Sequence, residues 1–193
     1  MADATQPAGK TDEHLMLAFS HGETAAFDEL FLRYRQPIFA FFRRRTFDLP
    51  RAEELTQETF IALLRAAPRY QPRALFRTYL YAIAFKILRA DRRKSAFRSF
   101  FFGSHADIHN VSGVGGNNDE IIWIRQALGR LDATDREILL LREFEKLTYL
   151  EIAGLLKLPL NTVRSRLFRA RLALREHLEP SLAENSVPLG ELS

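Results

Sequence analysis

From Asp12 onward the apolar residues of this chain recur at spacings of three and four, and no stretch sustains the apolar–polar alternation of a half-buried strand. Phe27, Leu30, Phe31, Tyr34, Ile38 and Phe41 or Phe42 trace one such stripe; Val163, Leu167, Ala170 and Leu174 trace another. An all-α fold is therefore expected. The pattern breaks once: residues 95–118 have no period and are rich in glycine, asparagine and serine, which reads as a flexible linker, long for the inside of a compact domain. The expected organisation is two small helical domains, residues 12–94 and 119–178, joined by that linker. A disordered N-terminus (1–11) and a short tail (179–193) flank them.

Within the first domain the spacing predicts helices over residues 12–20 and 24–45, the second kinked or interrupted at Pro37. Pro50 is placed to open a third helix that runs to residue 67, where Pro68 closes it, and a fourth covers residues 75–93. In the second domain helices are expected over residues 119–131 and 134–145, the latter opened by the pair Thr134 and Glu137. Phe100, Phe101 and Phe102 stand out in the linker: either they extend the core of the first domain or they offer a contact to a partner.

The segment from Thr148 to Arg175 carries the clearest chemistry. Thr148 with Glu151 forms a capping box; Ile152, Ala153, Leu155 and Leu156 supply an inner face; and Pro159 ends this short helix by Lys157 or Leu158. Asn161 or Thr162 then caps a second helix. That helix, NTVRSRLFRARLALR, holds five arginines and no acid. Two short helices with a tight turn, the second one cationic, are how a helix-turn-helix enters DNA. An arginine fork bonds both acceptors of a guanine edge or grips a phosphate. Early residues of such a helix meet bases and later ones the backbone. Asn161, Arg164, Ser165 and Arg166 are thus expected towards the bases, with Arg169, Arg171 and Arg175 nearer phosphates.

Two further helices carry a pattern. Residues 73–94 interleave Arg73, Phe76, Arg77, Tyr79, Tyr81, Lys86, Arg89, Arg92, Arg93 and Lys94, and aromatic rings beside cations suit single-stranded DNA, whose bases stack while its phosphates pair with charge. Phe76, Leu80, Ile83 and Ile87 are assigned to the core, and Tyr79 and Tyr81 cannot both join them. A base taken out of the duplex fits where the 70–75 loop meets this helix. In the third helix Glu53, Glu54, Gln57 and Glu58 form an acidic face opposite Leu55, Ile61, Leu64 and, in part, Phe60, suited to a basic partner helix.

Composition removes other classes. With 28 basic and 24 acidic residues the net charge is +4, which permits a nucleic-acid partner without requiring one. There is no cysteine, hence no disulfide, thiolate zinc site or thiol switch. No signal-peptide core and no apolar run of membrane-spanning length is present, so a cytoplasmic protein is expected. His105, Asp107 and His109 lie in the glycine-rich tether, where nothing holds them in ligand geometry, and neither metal nor cofactor is expected. No converging carboxylates or activated nucleophile suggest an enzyme or a small-molecule substrate.

Taken together, AEELTQETFIALLR (Ala52–Arg65), FRTYLYAIAFKILRADRRK (Phe76–Lys94) and EIAGLLKLPLNTVRSRLFRARLALR (Glu151–Arg175) resemble, in order, the three main motifs of bacterial sigma factors of the extracytoplasmic-function group. The resemblance implies that Glu53, Glu54, Gln57, Glu58 and Phe60 bind core RNA polymerase, through a coiled coil of its largest subunit. It implies that Arg73, Phe76, Arg77, Tyr79, Lys86, Arg89, Arg92 and Arg93 melt and read the minus-10 element. It assigns the minus-35 element to Asn161, Thr162, Arg164, Ser165, Arg166, Arg169 and Arg171, and an anti-sigma protein to regulation. The chain departs from the family pattern at several places. Tyr79 stands for a common tryptophan, Phe85 and Lys86 for an Arg-Asn pair, and Glu54 for an aspartate. Leu75 stands for a serine, and Lys157 and Asn161 for glycines. A stand-alone helix-turn-helix regulator is the alternative reading, and it leaves the acidic and aromatic-basic helices without a role.

Overall fold

The computed structural model describes residues 10–102 and 118–184, and the chain divides into two compact units, Met1–Val111 and Ser112–Ser193. Every regular element among the described residues is helical.

The first unit holds α1 (Asp12–Ser20), α2 (Thr24–Thr46), α3 (Leu49–Ala66), a 3-10 turn (Ala67–Arg69) and α4 (Phe76–Phe102). Thr11 accepts the His14 N–H to start α1, and Gly22, at φ 104°, carries the chain out of it. The α2 helix continues through Pro37 and ends on Phe47 in the left-handed region. Asp48 then caps α3, with Pro50 in its first turn. Leu15, Met16, Leu30, Ile38, Phe41, Phe42, Leu55, Leu63, Phe76, Leu80 and Leu88 are sealed from solvent and form the core. Arg45 is buried with them, its guanidinium 3.8 Å over the Phe41 ring and bonded to the Phe41 carbonyl at 3.0 Å.

Three expectations fail here. On α3, Ile61 and Leu64 face outward, 46% and 41% exposed, while Thr56 and Thr59 take inward positions. Their hydroxyls are satisfied on the spot, donating to the carbonyls of Ala52 (2.7 Å) and Leu55 (2.8 Å), so polar residues are tolerated inside. On α4 the inward stripe is Phe76, Leu80, Tyr81, Ala84, Phe85 and Leu88, and Ile83 and Ile87 are only half-buried. The α4 helix also runs to Phe102, nine residues beyond the expected end, so the first part of the supposed linker is helical. The side chains of Phe100, Phe101 and Phe102 and all of residues 103–117, His105, Asp107 and His109 included, lie outside the described residues.

The second unit holds α5 (Asn118–Arg130), α6 (Ala133–Glu143), α7 (Tyr149–Leu156) and α8 (Leu160–Glu184). Its core gathers Ala127, Leu131, Ile138, Leu141, Leu147, Ile152, Val163, Leu167 and Ala170. Leu174 is half-buried. Asp132, not Thr134, caps α6: its carboxylate accepts from the N–H groups of Thr134 (2.9 Å) and Asp135 (3.3 Å), and Glu137 turns into the interior. The α8 helix extends to Glu184, into the segment expected to be tail.

Candidate nucleic-acid interface

The turn between α7 and α8 is built as the residues require. Thr148 Oγ1 accepts the Glu151 N–H at 3.3 Å, and Glu151 Oε2 accepts the Thr148 N–H at 2.6 Å, closing the capping box. Lys157 ends α7 at φ 57°, the left-handed conformation that glycine usually provides. Of the expected inner face only Ile152 is fully buried, with Ala153, Leu155 and Leu156 half-buried. The Pro159 carbonyl accepts the Val163 N–H at 3.1 Å, so Pro159 occupies the cap position and Asn161 and Thr162 fall inside the first turn of α8.

The arginines of α8 divide into two sets. Arg166 is half-buried and turned towards α6, where it donates to Asp135 at 2.7 Å and Asp132 at 3.2 Å. Arg171 donates to Glu143 at 2.5 and 3.1 Å. Both guanidinium pKa values rise, Arg166 first through its bond to Asp135 and Arg171 through its bond to Glu143. Arg166 is thus held by the acids at the start of α6, whereas Arg171, paired with Glu143, stays on the surface. Asn161, Arg164, Ser165 and Arg169 are exposed, and Thr162 is half-buried. Phe168, 64% exposed, and Leu172 share the outward face of Asn161 and Arg164. Neither is among the residues expected at the interface, although spacings of four and seven from Arg164 and Asn161 place Phe168 there.

On α4 the aromatic residues also separate. Phe76 is fully buried, with the rings of Tyr34 (5.3 Å) and Tyr70 (6.4 Å) edge-on around it, so it packs the core and cannot stack on a base. Tyr81 packs inward against Phe41. Tyr79 stays half-buried at 5.2 Å from Tyr70. Burial raises the pKa of both, with Tyr70 pushed up to about 12 by burial and then by the charge of Glu13. Arg73, Lys86, Arg89, Arg92 and Arg93 are exposed and Arg77 half-buried. Beside Leu75 and Arg77 an open cleft of about 430 Å³ is walled by Asp12, Glu13, Arg33 and Tyr34, next to the expected base position.

The acidic face of α3 is present as expected, with Glu53, Glu54, Gln57 and Glu58 exposed. Phe60 belongs to the core instead: it is 4% exposed and packs edge-on against Phe31 at 4.8 Å. Arg51 links this face to α4. It donates to Asp91 at 2.6 and 3.0 Å and to Glu54, with Glu58 at 3.9 Å, and the Asp91 bond is the main cause of its raised pKa. Among the described residues no group of three or more histidines or acids is placed to hold a metal, and no helix is long and apolar enough to cross a membrane.

Comparison with known proteins matches both units to one family. Residues 30–101 match Sigma-70 region 2, and residues 121–174 match Sigma-70, region 4. The chain is 33% identical over 186 residues to the RNA polymerase sigma-H factor of Pseudomonas aeruginosa, covering 90% of this chain and 96% of that protein. It is 29% identical over 168 residues to the ECF RNA polymerase sigma factor SigC of Mycobacterium tuberculosis, covering 86% and 90%. Among solved structures, the fold resembles the sigma factor RpoE of Bartonella quintana, crystallised with the anti-sigma factor NepR: TM-score 0.69, 21% identity, 79% of this chain and 96% of that one.

Proposed function

Because the chain belongs to the ECF group of the sigma-70 family, we propose that it binds core RNA polymerase, directs it to promoters through minus-10 and minus-35 elements, and holds the melted minus-10 strand. The observation that carries this reading is the presence, in one chain and in order, of an exposed acidic α3 face, an aromatic-basic α4 and a helix-turn-helix with outward arginines. A stand-alone regulator needs only the last of these.

We assign docking on the polymerase to Glu53, Glu54, Gln57 and Glu58, with the exposed Ile61 and Leu64 beside them as an apolar contribution. The melted strand falls to Arg73, Arg77, Tyr79, Lys86, Arg89, Arg92 and Arg93, and the minus-35 duplex to Asn161, Thr162, Arg164, Ser165 and Arg169. Phe60, Phe76 and Arg166 support these surfaces from within, and Arg171 pairs with Glu143 at the surface. The chain makes and breaks no bond in this scheme; nucleotide chemistry belongs to the polymerase. Working on polymerase and chromosomal DNA places it in the cytoplasm. Control by an anti-sigma factor is proposed from the relatives.

Purified protein added to core polymerase and a promoter library tests the reading. Promoter-specific initiation is expected. Duplex binding in the absence of polymerase, with no initiation, overturns it in favour of the stand-alone regulator.

A further inference from the structure

The start of α4 is held from outside its own sequence. Tyr79 N–H bonds to the Leu75 carbonyl at 3.1 Å, which makes Leu75 the residue at the cap position. A leucine side chain accepts nothing, and the first N–H groups of any helix lack a partner within it. At α4 the acceptor comes from α1: the Phe76 N–H donates to Glu13 Oε1 at 2.7 Å, across 63 residues of sequence. A carboxylate at a helix N-terminus gains both a charge-assisted hydrogen bond and the favourable end of the helix dipole.

The neighbouring residue completes the attachment. Asp12 accepts from Arg33 at 2.5 Å and from the Tyr34 hydroxyl, both on α2, and the Tyr34 ring packs edge-on against Phe76. Two consecutive acids of α1 thus fasten α2 on one side and the first residue of α4 on the other. The junction they hold lies between Arg73 in the preceding loop and Arg77 and Tyr79 in the first turn of α4, the groups to which the proposed function gives the melted strand.

We infer that Glu13 is a positioning residue for strand capture: it supplies the N-terminal cap that Leu75 cannot, and so sets the orientation of the 70–75 loop and the first turn of α4. This rests on the reading of the chain as a sigma factor. Glu13 touches no DNA in this role and contributes nothing to docking on the polymerase.

The test uses the full chain with core polymerase and a cognate promoter, reading permanganate reactivity of unpaired thymines beside affinity for core. Glu13→Ala is expected to lower promoter opening about ten-fold, the factor given by loss of one good helix cap, with core affinity within about two-fold of the parent. Glu13→Gln keeps an acceptor oxygen and is expected to stay within about three-fold. Adding Leu75→Ser to Glu13→Ala places an acceptor at the cap itself and is expected to restore most of the loss. Opening unchanged in Glu13→Ala, or a loss shared equally by core binding and not recovered by Leu75→Ser, overturns the inference. A parent protein that opens no promoter overturns the functional reading instead. In that case hydrogen exchange at the Phe76 amide, slow in the parent and faster in Glu13→Ala, still reads the cap, and equal exchange in the two proteins disproves it.

Discussion

Arg164 and Arg166 stand two positions apart on α8 and serve different ends. Arg164 is exposed, whereas Arg166 is bonded to Asp135 and Asp132 on α6. Arg164→Ala is therefore expected to cost about 1–3 kcal/mol of minus-35 binding and to relax specificity at one position, with the melting temperature unchanged. Arg166→Ala is expected to lower the melting temperature of the second unit, and DNA affinity only through that loss. A DNA titration beside thermal unfolding separates the two, and equal DNA effects without a change in stability would falsify the division. Phe76 makes the same point for the first unit. Its burial predicts that Phe76→Ala destabilises the fold by about 3–5 kcal/mol, whereas Tyr79→Ala, at a half-buried position, costs less stability and weakens strand capture. Residue types in these motifs were legible from the sequence. Which arginines and aromatics remain outward was not, because an exposed contact and an internal one use the same side chains.

Among the helices of the second unit, one expected local capping pair stands and another does not. The Thr148–Glu151 box spans three residues and stands as expected. The expected Thr134–Glu137 pair gave way to Asp132, a stronger acceptor two residues earlier that also meets Arg166. The backbone bonds from Asp135 and Thr134, and then Arg166, hold the Asp132 carboxyl below its ordinary value of 3.8. Since the folded value is the lower one, the stabilisation is present above pH 3.8 and disappears as pH falls through the folded value. An NMR titration of the native protein is expected to place its inflection below that of an unfolded peptide. Lys157 offers a change in the other direction: at φ 57° it carries strain that Lys157→Gly relieves, for an expected gain of about 1 kcal/mol in chemical denaturation. Between α3 and α4, Asp91→Ala removes the main partner of Arg51 and is expected to cost roughly 1.5–3 kcal/mol, measured in the same way. The far ends of α4 and α8 exceed the expected bounds because Ser95 and Ser99 in the one and Pro180 in the other favour turns, yet both helices continue through them.

For the whole molecule, a net charge of +4 gives a weak overall attraction to nucleic acid, so binding has to come from local sets of cations. Arg169, exposed and late in α8, is placed for a phosphate. Arg169→Ala is expected to reduce the slope of log affinity against log salt for the minus-35 duplex by about one, with little change in sequence preference; an unchanged slope would rule out a phosphate contact. The all-helical class, the helix-turn-helix and the likeness to sigma factors were all determined by the sequence alone, since periodicity, capping residues and ordered motifs act over one or two helical turns. Only the tertiary structure decided which charged and aromatic groups are engaged inside each unit. Arg166 meets Asp135 across 31 residues, Arg51 meets Asp91 across 40, and Glu13 meets the Phe76 amide across 63. Hydrogen bonds and close ion pairs act only over about 3–4 Å, and such distances between remote residues exist only once the helices have packed.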